Sequence, residues 1–292
     1  MESSYNFWLV VLSLILAVGA SFVALTIASR IPHVEQKSVW LWLVGGAISM
    51  GLAIWSMHFV GMLAFHLDIP LAYDIPLTLY SMLFAIGATA IALLIVRKDI
   101  HTSLGLLLAT LFMGTGIAAM HYTGMYALKM YPAIAYDPVL LTMSLLIAYG
   151  ASFVAMRLFF VAADDRVNYF RLIHKPRVYA SILMGIAIAG MHYTGMEAAI
   201  FAPGSVCRAI ENGIPAGMMS ILIVIGVIVI LIFTVLVLML DIKLADKDRQ
   251  LLDRLKNYNR ELEDKALLLS EKITKEVRKS ARKDEMLATV VE

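Results

Sequence analysis

The 292 residues are 61% hydrophobic and only 16% charged, with a formal net charge of +2, a balance that excludes an ordinary soluble domain, where about half the residues are apolar and about a quarter charged. The charge is also segregated. Residues 241–292 carry 13 of the 24 Lys and Arg and 12 of the 22 Asp and Glu, so the small net value describes two regions in two solvents and names no partner. A single cysteine, Cys207, excludes an intramolecular disulfide framework.

From the N-terminus, seven runs reach the roughly 20 apolar residues that a spanning helix needs: about 6–29, 39–65, 77–96, 104–128, 139–161, 178–200 and 218–240. The first is too long, and lacks the small-residue cleavage pattern, for a removable signal peptide. Arg30 and Lys37 follow the first run, Arg97 and Lys98 the third, and Arg166, Arg171, Lys175 and Arg177 the fifth. The opposite loops hold Lys129 and Arg208 among Asp68, Asp74 and Asp137. Basic loops remain cytoplasmic. The expectation is a multi-pass membrane protein, set in lipid, with its N-terminus outside and its C-terminus in the cytoplasm.

Runs two, four and six share a motif near their outer ends: MHFVGM at 57–62, then MHYTGM at 120–125 and again at 191–196. Stacked on the histidines, the match extends upstream through Met50-Gly51, Met113-Gly114 and Met184-Gly185, and through Ile54, Ile117 and Ile188. The fold class that follows is an all-α membrane protein: three two-helix repeats plus a seventh helix continuing into a cytoplasmic coiled coil. At about 100° per residue, every position identical in all three copies falls within a face about 140° wide. A face repeated so strictly is expected to line an interior shared by the three even-numbered helices. Gly61, Gly124 and Gly195 would let backbones approach closely there.

Ionisable residues inside a membrane are costly and point to function. Each repeat offers an imidazole with a thioether one turn above it and another at its side, a donor set that selects copper, Cu(I) above all. The expected ligands are His58, His121 and His192 with Met62, Met125 and Met196, flanked by Met57, Met120 and Met191. Met50, Met113 and Met184 stand two turns deeper, about 10 Å away, and either pack or form a second site. Tyr122 and Tyr193 are interfacial anchors or hydrogen-bond donors to the site; Phe59 dispenses with the hydroxyl in the first copy. His66 continues the line above Met62 without a counterpart in the other repeats, and Glu197 follows one motif only. Cys207 falls in an outer loop, where an incidental role is expected. No nucleophile–base pair or paired carboxylate stands at motif depth, so catalysis by this segment is not expected. A metal transporter and a haem-binding redox protein are the competing readings; no charged path crosses the interior as a relay would require.

Three such motifs on alternate helices of a seven-span chain resemble the MHYT family of bacterial integral-membrane sensor domains over residues 6–240. The resemblance implies copper bound through these Met and His residues and a diatomic gas (oxygen, carbon monoxide or nitric oxide) as the stimulus. It also implies fusion to a cyclic-di-GMP synthase or hydrolase, or to a histidine kinase. Phe59 and Val60 depart from the motif's Tyr and Thr.

Residues 241–292 lack Pro and Gly and carry apolar side chains at a stuttering heptad spacing through Leu244, Leu251, Leu255, Tyr258, Leu262, Ala266, Leu269, Ile273 and Val277. The pattern predicts a helical signalling linker, dimeric with a second copy, that leads to a downstream cytoplasmic domain. The ending MLATVVE reads either as the lead-in to that domain or as the end of a stand-alone protein. The expected division is therefore 1–240, sensor, and 241–292, linker.

Overall fold

The structure is a computed structural model that describes residues 3–30, 39–98, 102–162 and 175–291. Lys37, Arg166 and Arg171, which carry part of the orientation expectation, lie outside the described residues. Seven helices follow in order: α1 (Phe7–Arg30), α2 (Val39–Ala64), α3 (Ile75–Lys98), α4 (Ser103–Tyr126), α5 (Pro138–Ala162), α6 (Lys175–Glu197) and α7 (Ala216–Val291). Each contains a stretch long and apolar enough to span a membrane. The chain divides into two compact units, Met1–Leu238 and Met239–Glu292. In the second, the side chains of the heptad positions from Leu251 to Val277 are exposed to solvent along their helix.

Helices α1, α3 and α5 begin where a side chain caps them. Asn6 accepts from the N–H of Trp8 and Leu9 at 3.0 and 3.3 Å, Asp74 from Leu77 at 3.1 Å, and Asp137 from Val139 and Leu140, both at 2.9 Å. Each cap satisfies helix-end donors that have no partner within the helix. Proline sits just inside α3 and α5, as Pro76 and Pro138, where a missing N–H costs nothing. The backbone N–H of each capping residue reaches the end of an even helix: Asn6 donates to Ala64, Asp74 to Ala127 and Asp137 to Ala198, at 2.8, 2.8 and 2.9 Å.

These joints pair α1 with α2, α3 with α4 and α5 with α6, within a ring in which α1 to α6 are neighbours in sequence order and α6 returns to α1. Lipid supplies no hydrophobic drive for helix association, so close approach at small residues must do it. A Cβ on Gly51 would stand 2.6 Å from Ile86 Cα, one on Gly185 2.8 Å from Val18 Cα, and one on Gly114 2.9 Å from Tyr149 Cε1. Val18, Ile86 and Tyr149 each lie twelve residues beyond their helix's cap, so one threefold rule places all three contacts. The transmembrane part of α7 packs outside the ring: the Phe233 ring lies against Gly45, and Ser56 Oγ faces Gly226.

Four two-stranded pairs close the motif end of the ring: β1 (Ser4–Tyr5) with β2 (Phe65–His66), β3 (Ala72–Tyr73) with β8 (Ile214–Pro215), β4 (Met130–Tyr131) with β7 (Val206–Cys207), and β5 (Ala135–Tyr136) with β6 (Ala199–Ile200). The α6–α7 loop thus inserts between the α2–α3 and α4–α5 loops. Cys207, expected to be incidental, is buried at this insertion. Its thiol donates to Leu128 C=O at 3.0 Å and accepts from Ala72 N–H at 3.4 Å, which ties all three loops together.

Candidate metal centre

His58, His121 and His192 each lie near the end of an even helix, facing inward, and all three are fully buried. Their Nδ1 atoms converge: His58 to His192 at 3.0 Å, His121 to His58 at 3.1 Å, and His192 to His121 at 3.3 Å. A neutral imidazole's Nδ1 either donates or accepts. Three Nδ1 atoms in mutual contact therefore cannot all be hydrogen-bonded to one another. No Asp, Glu or Cys joins the cluster among the described residues.

The other ring nitrogens explain the motif's glycines. His58 Nε2 lies against Gly124, His121 Nε2 against Gly195, and His192 Nε2 against Gly61. Each imidazole is wedged over the glycine of the next repeat, and the three wedges form a closed cycle. None of the Nε2 atoms has a hydrogen-bond partner, so ring position is set by packing. The glycines therefore do more than bring backbones together: they are the seats of the imidazole rings.

The aromatic position after each histidine joins an even helix to an odd one. Tyr122 and Tyr193 bond Ser144 and Ser13 through their hydroxyls, at 2.5 and 2.8 Å. Those serines lie seven residues beyond the caps Asp137 and Asn6, and the equivalent on α3 is Ser81. In the first copy, where Phe59 has no hydroxyl, Trp55 Nε1 donates to Ser81 Oγ at 3.2 Å instead. The departure from Tyr is thus compensated one turn away, at a position that is not repeated. Above this layer a second aromatic set stacks edge-on: Tyr5 on Tyr193, Tyr73 on Phe59 and Tyr136 on Tyr122, at centroid distances of 5.8, 5.3 and 5.4 Å. Burial, then Glu197 and Tyr193, pushes the Tyr5 phenol up to about 12; burial and then Tyr122 do the same to Tyr136.

Tyr5, Tyr73 and Tyr136 extend the repeat to the odd helices. Their context reads SYN, AYD and AYD, a signal that was available by stacking the odd helices as well as the even ones. All six motif methionines, Met57, Met62, Met120, Met125, Met191 and Met196, are buried. Met50, Met113 and Met184 meet at a separate small cavity. His66 lies outside the cluster, exposed and 3.7 Å from Asp68, and Glu197 is also exposed.

The Nδ1 triangle fits a metal ion. Its corners lie on a circle of about 1.8 Å radius, against a metal–imidazole bond of about 2.0 Å. A metal ion held there would also resolve the conflict among three Nδ1 atoms that cannot all bond one another.

The profile of the MHYT family, described as a bacterial signalling protein N-terminal repeat, matches residues 1–45, 51–109 and 114–170, more than half of the chain. The chain belongs to the MHYT family. The matched segments contain the first two motifs of this MHYT chain. The third, at 191–196, lies beyond them, yet it supplies the third imidazole in the same geometry. Among curated MHYT relatives, the bifunctional diguanylate cyclase/cyclic di-GMP phosphodiesterase MucR of Pseudomonas aeruginosa is 43% identical over 99% of this chain and 43% of its own length. The signaling protein YkoW of Bacillus subtilis is 38% identical over 68% of this chain and 24% of its own. The cyclic di-GMP phosphodiesterase NbdA of P. aeruginosa is 38% identical over 68% of this chain and 25% of its own. The chain thus spans less than half the length of each of these relatives. No solved structure matches it.

Proposed function

We propose that residues 1–240 form a sensory input domain that holds copper through His58, His121 and His192 and governs a cytoplasmic output. The observation that carries this reading is the convergence of three fully buried Nδ1 atoms within 3.3 Å of one another. Uncharged nitrogen and thioether donors without a carboxylate suit a soft ion of low charge, and disfavour magnesium and calcium, which require oxygen ligands. Met62, Met125 and Met196, one turn outward on the same helical faces, are the thioethers assigned to the ion, with Met57, Met120 and Met191 beside them. When bound, copper supplies an exchangeable coordination position for a diatomic gas, or a one-electron redox couple. The protein's part is to hold the rings in place: glycine seats fix each imidazole, the aromatic layers exclude water, and the Tyr–Ser bonds lock even helices to odd ones.

The names of two relatives support the proposed output. MucR and NbdA are named for cyclic-di-GMP turnover, and the same output, or a histidine kinase, is proposed downstream of residues 241–292. Those residues act as a linker and pair with a second copy through the heptad seam. The orientation proposed is a periplasmic N-terminus in the inner membrane, with the histidine layer on the periplasmic side.

Elemental analysis of the purified protein beside a variant with all three histidines changed to Ala tests the reading. Copper bound near stoichiometrically by the first and lost from the second is the expected result. No metal in either protein, after copper is supplied, overturns it.

A further inference from the structure

A second threefold layer lies deeper in the ring. Met50, Met113 and Met184, one from each even helix, line one cavity of about 20 Å³ with Ile54, Ile117 and Ile188. Methionine ordinarily closes irregular gaps, because its three rotatable bonds let it adapt. Here three of them surround a gap and leave it open. Close packing elsewhere in a protein core makes such a void costly.

The odd helices add two hydroxyls to the wall, Ser21 and Ser152. Fifteen residues beyond each cap stands a hydroxyl: Ser21, Thr89 and Ser152. Ser21 and Thr89 bond back to the carbonyls of Ala17 and Ala85, each at 2.8 Å. Ser152 is fully buried, lines the cavity and has no partner for its hydroxyl. One hydroxyl in the threefold set is therefore left free, and it stands at the void.

We infer that this cavity is a second soft-metal site, in which Met50, Met113 and Met184 bind a monovalent ion of the Cu(I) or Ag(I) class. Thioethers are neutral and soft, so they select Cu(I) from the common ions. The wall carries no charge that would offset a divalent cation, whose desolvation in an apolar interior is prohibitive. The layer is distinct from the histidine triangle, about two helical turns away, and does not depend on it.

The test is titration of the intact protein with Ag(I), and with Cu(I) under reducing conditions, followed by desalting and elemental analysis. Three proteins are compared: the natural chain, the chain with Met50, Met113 and Met184 changed to Leu, and the chain with His58, His121 and His192 changed to Ala. Leucine nearly conserves volume, so the first variant keeps its packing, which thermal unfolding without metal verifies. The expected result is that the leucine variant binds one ion fewer than the natural chain. In the histidine variant, X-ray absorption shows an ion with an all-sulfur shell, and adding the leucine changes removes it. A folded leucine variant with undiminished uptake overturns the inference and leaves the cavity a packing defect. Metal lost with the histidines but not with the deep methionines refutes this site alone; the converse refutes the histidine site alone.

Discussion

Alanine at the three motif glycines is the sharpest perturbation of the site. A Cβ on Gly195 would meet His121 Nε2 and stand 3.0 and 3.2 Å from Cδ2 and Cε1 of the same ring; on Gly124 it would meet His58 Nε2 and lie 2.9 Å from Cδ2; on Gly61 it would meet His192 Nε2 and lie 2.6 and 3.0 Å from Cδ2 and Cε1. Ordinary contact begins near 3.4 Å, so each ring must retreat by about 1 Å, and His192 furthest. Metal–ligand distances tolerate only about 0.2 Å. Displacing one ligand in three is expected to weaken copper binding by about 10–100-fold, the range seen when groups that orient metal ligands are altered. Overpacking costs about 1–3 kcal/mol, and alanine's helical advantage over glycine returns about 0.5–1 kcal/mol. The net loss of stability is therefore modest while the loss of affinity is large. Gly150, beside which a Cβ meets nothing, is the control. Competition with a copper chelator should rank Gly61→Ala as most impaired, then Gly124→Ala and Gly195→Ala, with Gly150→Ala unchanged. Natural affinity in all three motif variants would refute the wedge.

Tyr193→Phe removes the bond to Ser13 and should lower thermal stability by about 0.5–1.5 kcal/mol, whereas Phe59→Tyr should gain nothing, because Ser81 is already bonded by Trp55. Trp55→Phe should then cost as much as Tyr193→Phe; no loss would show that the Trp55–Ser81 bond does not substitute for the tyrosine. Partial burial alone raises the Asp74 carboxyl, but the Lys129 ammonium and the Leu77 N–H outweigh burial and hold it below its usual 3.8. A depressed carboxyl contributes stability above its unfolded value and loses it as pH falls through the folded one. Thermal stability should accordingly stay flat down to about pH 4 and decline below it. Asp74→Asn, which keeps the cap as Asn6 does in the first repeat, should flatten that decline. Alkaline titration by absorbance should find the Tyr136 phenol still protonated at pH 11, since it ionises near 12; ordinary titration near pH 10 would show the outer layer open to water.

The parts of this protein legible in its sequence are those repeated identically. His58, His121 and His192 share one helical face with one glycine spacing, and that face does turn inward and bring the imidazoles together. The motif could not reveal which ring each glycine serves, because the partner comes from the next repeat. The odd-helix signal was weaker: Asn6 replaces Asp, Ser4 replaces Ala, and the loops differ in length, so Tyr5, Tyr73 and Tyr136 go unnoticed until their rings are seen stacked on the motif aromatics. Trp55 was unreadable for a different reason. It compensates Phe59 through a position that varies among repeats, and only the contact with Ser81 shows why. Cys207 seemed idle because its partners, Ala72 and Leu128, act through backbone atoms that carry no sequence signature.

The cycle of rings and glycine seats has a consequence for how such a protein can be built. No repeat contains a complete half of any contact: α2 gives its imidazole to α4 and receives one from α6. This is head-to-tail association of identical surfaces that closes after three steps, the rule that makes rings from separate subunits. A two-helix hairpin bearing one motif would therefore be unsaturated alone and complete as a trimer. The present chain is what that trimer becomes when its three members are joined end to end, free afterwards to trade a tyrosine for a phenylalanine in one of them.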